Sequence, residues 1–124
     1  MAVHKFITKR PPVRYEPPAI KWRIGETAHI ATKVNSTRWE IYIQEDTEIK
    51  PISSYTLILN FGVQMTRGVC LISLRQEIKA KGLSLHDGIV SEDTDNIIVT
   101  LQNNSETLVT MRKGDSLCYI NHHI

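Results

Sequence analysis

Residues 88–120 decide how this chain reads: Gly88-Ile89-Val90-Ser91-Glu92-Asp93-Thr94-Asp95-Asn96, then Ile97 to Leu101, Gln102 to Glu106, Thr107 to Met111, Arg112-Lys113-Gly114-Asp115 and Ser116 to Ile120. Short apolar and β-branched runs alternate with clusters of Gly, Asn, Asp and Ser. That is the punctuation of strands and turns. Ile97 to Leu101 and Thr107 to Met111 read as two strands joined by a hairpin-like turn at 102–106. Lys113-Gly114-Asp115 then turns the chain into a last strand.

The same texture extends upstream. Gln76 to Lys81 has room for a helical turn or two, closed by Lys81-Gly82-Leu83. Val69 to Leu74 is an apolar run and is expected to be a strand buried on both faces. Ile20, Trp22 and Ile24 alternate with Lys21 and Arg23; Trp39, Ile41 and Ile43 alternate with Glu40, Tyr42 and Gln44. Period two places such residues on opposite faces of a strand. Glu26 to Val34 and Tyr55 to Phe61 supply further strands, and Gly62 and Gly68 flank Val63 to Arg67. Proline occurs once after residue 18, and no helical period lasts long enough for a full helix. Many short strands at 8–12-residue spacing imply an all-β sandwich or barrel, with at most one short helix near 76–81.

The totals fit one such domain. The chain has 124 residues, a hydrophobic fraction of 41%, a charged fraction of 23% and a net charge of +2. These are ordinary globular values. The small net charge gives no argument for nucleic acid, and no run approaches the ~18 apolar residues of a membrane span. Neither a membrane nor a nucleic-acid partner is expected. Residues 1–18 differ from the rest: Pro11, Pro12, Pro17 and Pro18 lie among Lys5, Lys9, Arg10 and Arg14. They read as a basic, proline-rich arm ahead of a β domain at 19–124. No apolar leader is visible, so the sequons at Asn35 and Asn103 are read as chance. Cys70 and Cys118 each sit in an apolar run. They read as buried thiols of an intracellular, reducing setting, the cytoplasm or nucleus of a host cell.

Little in the chain points to chemistry by itself. There is no HExxH, CxxC, GxSxG or P-loop pattern. Glu92, Asp93 and Asp95 crowd one loop and read as a solvated turn. His122 and His123 read as a frayed polar end; His29 and His86 are isolated. No metal or cofactor is expected.

From Ile20 to Ile120 the order and spacing of elements resemble the trimeric dUTPases. The resemblance implies a distorted jelly roll, a homotrimer (a dimer is the runner-up) and active sites where subunits meet. The family's first motif, Ala-x-x-Asp-Leu, is similar to Arg38-Trp39-Glu40-Ile41, with Glu40 at the metal-serving acid. The second, Arg-Ser-Ser/Gly before a short helix, resembles Arg75-Gln76-Glu77. Arg75 is kept, Gln76 replaces a phosphate-holding hydroxyl, and Glu77 adds a negative charge. The third, Gly-Val-Ile-Asp with a following Tyr, resembles Gly88 to Asn96. Ser91 stands at the water-activating aspartate, where a hydroxyl is no general base near neutral pH. Thr94 replaces the tyrosine under the deoxyribose, and one residue is missing from the hairpin. The fourth, Gly-Asp-x-Ile-Ala-Gln-Leu, resembles Gly114 to Ile120, with Tyr119 at the phosphate-contacting glutamine. The Gly-rich fifth motif has no counterpart up to Ile124.

The resemblance therefore implies a degenerate nucleotide pocket at Glu40, Arg75, Gln76, Ser91, Thr94 and Tyr119, and no catalytic residue. It is similar to virally encoded dUTPase-derived proteins, those of adenoviruses among them, that bind host proteins. The expected contact is the arm, through Lys9, Arg10, Pro11, Pro12 and Tyr15. Two other readings stand beside it: residual deoxyuridine-nucleotide binding or weak nucleotidohydrolase activity, and a jelly-roll virion component.

Overall fold

The computed structural model describes residues 19–26 and 29–124. The expected arm, with Lys9, Arg10, Pro11, Pro12 and Tyr15, lies outside the described residues. In chain order the elements are β1 (Ile20–Ile24), β2 (Thr32–Asn35), β3 (Arg38–Tyr42), β4 (Thr47–Ile49), β5 (Ser54–Ile58), β6 (Phe61–Met65) and β7 (Val69–Leu74). A single-turn helix α1 (Gln76–Lys79) follows, then β8 (Leu83–Leu85), β9 (Ile89–Val90), β10 (Ile98–Asn103), β11 (Val109–Met111) and β12 (Ser116–His123). The described residues form an all-β single domain with one short helix, where the sequence left room for it.

Among the described residues every strand pair is antiparallel. The main sheet runs β2-β3-β12-β7-β9, a second runs β5-β10-β8, and β1-β6 and β4-β11 are two-stranded. Period two sets the faces. In β3, Trp39 and Ile41 are buried while Arg38, Glu40 and Tyr42 turn outward. In β12, Cys118, Ile120 and His122 are buried, with Tyr119 and Asn121 on the other side. Trp22, Trp39 and Phe61 form an aromatic cluster with centroids 5.3–6.1 Å apart, packing β1 and β6 against the main sheet.

Gly62 and Gly114 are among the positions where the backbone requires glycine. A Cβ on Gly62 would lie 2.4 Å from the Asp95 carbonyl oxygen, because the 93–96 loop presses on β6 through the Val63–Thr94 bridge. Gly114 has φ +91 in the turn before β12. There its N–H donates to the Ile43 carbonyl at 2.8 Å.

The structure corrects several expectations. β7 is buried on one face: Cys70, Ile72 and Leu74 point inward while Leu71 and Ser73 are exposed. β10 and β11 form no hairpin. β10 pairs with β5 and β8, and β11 crosses to β4. Asn103 drives the separation. Its buried Nδ2 donates to the carbonyls of Ile49, Lys50 and Thr107, and its Oδ1 accepts from the Ser105 N–H and hydroxyl, which folds the turn onto β4. The 26–34 segment holds a strand only from Thr32 onward, with residues 27 and 28 outside the described set. His122 and His123 are strand residues, not a frayed end. His122 is buried, and its Nε2 lies 2.9 Å from the Arg67 carbonyl oxygen.

Candidate functional site

The outer face of the main sheet collects polar side chains from three neighbouring strands. Tyr119 of β12 lies opposite Glu40 of β3 on one side and Ser73 of β7 on the other. Arg75 follows β7 directly. Its backbone is extended (φ −63, ψ 149), and its N–H donates to the Leu117 carbonyl at 2.9 Å, which continues the β7–β12 ladder by one step. The Arg75 side chain is thereby laid across the sheet.

The contacts there are dense. Arg75 Nη1 donates to Glu40 Oε2 at 3.0 Å and to the Tyr119 hydroxyl oxygen at 2.6 Å. Ser116 Oγ donates to the same Glu40 oxygen at 2.5 Å. On the other edge of the guanidinium, Nε and Nη2 donate to the two Glu77 carboxylate oxygens at 3.3 and 3.4 Å. The Arg38 guanidinium lies over the Tyr119 ring at 3.9 Å, with that of Arg75 at 5.3 Å. The hydrogen bond from Arg75 holds the Glu77 carboxyl below the usual carboxylate range. Glu77 in turn raises Arg75.

Of the six pocket residues named from the sequence, Glu40, Arg75 and Tyr119 meet here. Gln76 adjoins them as the first residue of α1 and is exposed. Ser91 and Thr94 sit elsewhere, on the loop after β9. Val90 pairs with Cys70, so the chain leaves β9 near the start of β7, whereas Arg75 lies past its end. Five residues of extended strand separate those points, roughly 16 Å. Thr94 is bound to β6, its N–H and carbonyl exchanging hydrogen bonds with Val63 at 2.9 and 2.8 Å. Ser91 is exposed. The neighbouring acids serve local structure: Asp93 Oδ1 accepts the Met65 N–H at 2.7 Å, and Asp95 pairs with Arg23 at 3.1 Å.

Sequence reading missed Ser116 and Arg38 as members of this group. Arg38 was within reach, since it shares a face with Glu40 by period two. Ser116 was not, because its approach depends on the β12 bulge between Ser116 and Cys118. Among the described residues no group of three or more His, Cys, Asp or Glu side chains is gathered as a metal site would need, and no helix is long and apolar enough to cross a membrane.

Solved structures share this architecture. EIAV dUTPase in its native form superposes with a TM-score of 0.70 at 12% identity, over 83% of this chain and 86% of that one. The fold is dUTPase-like. The Staphylococcus bacteriophage 80alpha dUTPase with dUpNHpp gives 0.72 at 11% identity, over 86% and 83% of the two chains. A point mutant of the dUTPase from phage phi11 of S. aureus, whose structure describes coordination of a structural Mg(II) ion, gives 0.70 at 15% identity, over 84% and 89%. No family model matches the chain, and no curated protein matches its sequence. At these identities the likeness establishes the fold alone.

Proposed function

We propose that this chain is a non-catalytic, virally encoded protein on a dUTPase-like scaffold, acting by contact with host proteins as a homotrimer. The observation that carries the reading is the closed network around Arg75. Glu40, at the position the resemblance assigns to the metal-serving acid, is held by Ser116 and Arg75. Tyr119, at the phosphate-contacting position, takes another donor of the same arginine. Polar groups that would have to open toward a nucleotide and its metal are satisfied within the chain. With Ser91 at the water-activating position, no carboxylate stands there to take a proton from water.

The roughly 16 Å between Arg75 and the Ser91 loop fits sites shared between copies, as the resemblance implies. A surface suited to self-association supports the oligomer. Ile58 and Ile98 lie directly opposite each other on β5 and β10, 58% and 60% exposed, beside the hydrogen-bonded Thr56–Thr100 pair. Such a face meets its own copy without like-charge repulsion. The two buried free cysteines suit a reducing compartment. Host contact is assigned to the arm through Lys9, Arg10, Pro11, Pro12 and Tyr15. Deleting residues 1–18 should then abolish host binding and leave the oligomer intact.

The decisive test is pyrophosphate release from dUTP with Mg²⁺. The expected result is none above buffer, and none for Ser91→Asp, since Thr94, Tyr119 and the shortened hairpin remain. Turnover by either protein at the rate of a working dUTPase ends the proposal. One observation favours residual nucleotide binding instead: Glu40 and Arg75 still stand together. Calorimetry with dUTP separates the two readings.

A further inference from the structure

β5 is an edge strand without the usual guards. On one side it pairs with β10, and among the described residues no strand lies on the other. At the two ends of the β5–β10 ladder, Leu59 N–H donates to the Ile97 carbonyl at 3.0 Å and Asn103 N–H to the Ser53 carbonyl at 2.8 Å. Bonded pairs alternate along an antiparallel ladder. Tyr55 and Leu57 therefore turn their backbone groups to β10, and Ser54, Thr56 and Ile58 turn theirs to the free side. Such a row of unpaired groups is a template for another strand, and proteins blunt it with lysine, proline, bulges or brevity. β1 has Lys21 and Arg23, β2 has Lys33 and a register shift before Asn35, and β9 is two residues long. Ser54-Tyr55-Thr56-Leu57-Ile58 has no charge, no proline and no shift. A groove follows this edge: its lining takes the consecutive residues Tyr55 to Ile58, and Gln44, Glu45 and Thr47 complete it.

We propose that this edge is the docking groove for the chain's own residues 3–8, added as an extra strand beside β5. The inference rests on the reading that the arm carries host contact, and it says how the arm is held. Composition selects the segment. Val3, Phe6, Ile7 and Thr8 are β formers, and the prolines that would interrupt a ladder begin at Pro11. Charge agrees: Glu45 is exposed and in no ion pair among the described residues, while Lys5, Lys9 and Arg10 bring the opposite sign. The reach is sufficient. The Ala19 carbonyl accepts the Thr66 N–H at 2.9 Å, at the other end of β6 from Asn60, which also lines the groove. From Thr66 to Asn60 is six residues of chain, roughly 20 Å. Residues 9–18 are ten in number and extend up to about 33 Å. Strand side chains stand perpendicular to the sheet, so an edge contact leaves the Ile58–Ile98 face free for another copy. Seated there, residues 3–8 display 9–15 to host protein.

The test is amide hydrogen exchange of the full chain, read residue by residue by NMR, against Ile7→Pro and Thr56→Pro. A strand beside β5 protects the outward amides, whereas the inward ones are bonded to β10 with or without it. The expected result is exchange of the Thr56 and Ile58 amides at least about ten-fold slower in the wild type than in Ile7→Pro, with Tyr55 and Leu57 equal in both. Thr56→Pro removes a donor that β10 does not use, and the Ile58 amide should lose its protection there too. Equal exchange of Thr56 and Ile58 in the wild type and Ile7→Pro overturns the proposal. So does quickening of Tyr55 and Leu57 along with them, which means general loosening and not an uncovered edge. Protection that fades on dilution assigns the edge to a second copy and overturns it as well. Circular dichroism checks that each variant is folded. Capture of host protein from a cell lysate by the same samples reports separately. A protected edge with no capture removes the host-contact reading alone, whereas capture without protection removes only the docking.

Discussion

Tyr119 separates two contributions in one side chain. Its hydroxyl accepts from Arg75, and its ring lies under Arg38. Tyr119→Phe keeps the ring and drops the hydroxyl, so the loss should be about 0.5–1.5 kcal/mol, the usual net worth of one hydrogen bond. Asn103→Ala should cost far more, at least ~3 kcal/mol, because it strands several carbonyls in the interior. Urea melts of the two variants should keep that order. Asn103 also shows what a local pattern misses. As a sequence it opens a glycosylation signal; as a structure it is fully buried and ties a turn to β4. The thiols give a pH expectation. Burial pushes Cys70 up to about 11 and Cys118 up to about 12, from an ordinary 9.0. A thiol whose pKa is raised by folding stabilises the fold fully below its unfolded value, and that contribution is lost as pH climbs toward the folded one. Stability should therefore start to fall near pH 9 and continue to about 11–12. Cys118→Ala should flatten that alkaline slope in thermal melts, and a slope identical to wild type would count against this assignment.

The elements most legible in the sequence were those whose two faces differ. β1 and β3 announced themselves by alternating apolar and polar residues, and α1 by the only helical stretch available. β7 was misread because Leu71 is apolar yet outward, so its composition hid a one-faced strand. The supposed hairpin of β10 and β11 failed for a different reason. Their partners, β5 and β8 for one and β4 for the other, lie as far back as the step from Met111 to Thr47, and adjacency in sequence says nothing of that. The candidate site was half legible for the same cause. Glu40, Arg75 and Tyr119 could be named from the resemblance, but only the β3–β12–β7 register brings them together. β12 is the middle strand of the main sheet, hydrogen-bonded on both sides. Ending the chain before Ser116 should leave β3 and β7 with open edges and expose the Trp39–Phe61 core. The truncated protein should lack the near-ultraviolet dichroism of packed tryptophans; a truncation that melts cooperatively would show the sheet closes without β12.

For the whole molecule, the proposed assembly puts Ile98 and Ile58 between copies. Ile98→Lys would set like charges against one another around the symmetry axis. Light scattering should then show a shift toward monomer at concentrations where the wild type is oligomeric, with the β-sheet circular dichroism unchanged. A monomeric wild type at high micromolar concentration would remove the assembly.

The place of β12 also bears on how the protein is made. Ser116 leaves the ribosome 74 residues after Tyr42 ends β3. At roughly 5–20 residues per second, the strand that will sit beside β3 arrives about 4–15 s later. Once β7 is complete at Leu74, and until β12 follows, the nascent chain holds two unmatched strand edges and a bare aromatic cluster. Those are the features that chaperones grip and proteases cut. A message broken or stopped early should therefore yield degraded fragments in place of partly working ones, so that only chains translated through β12 accumulate in the cell.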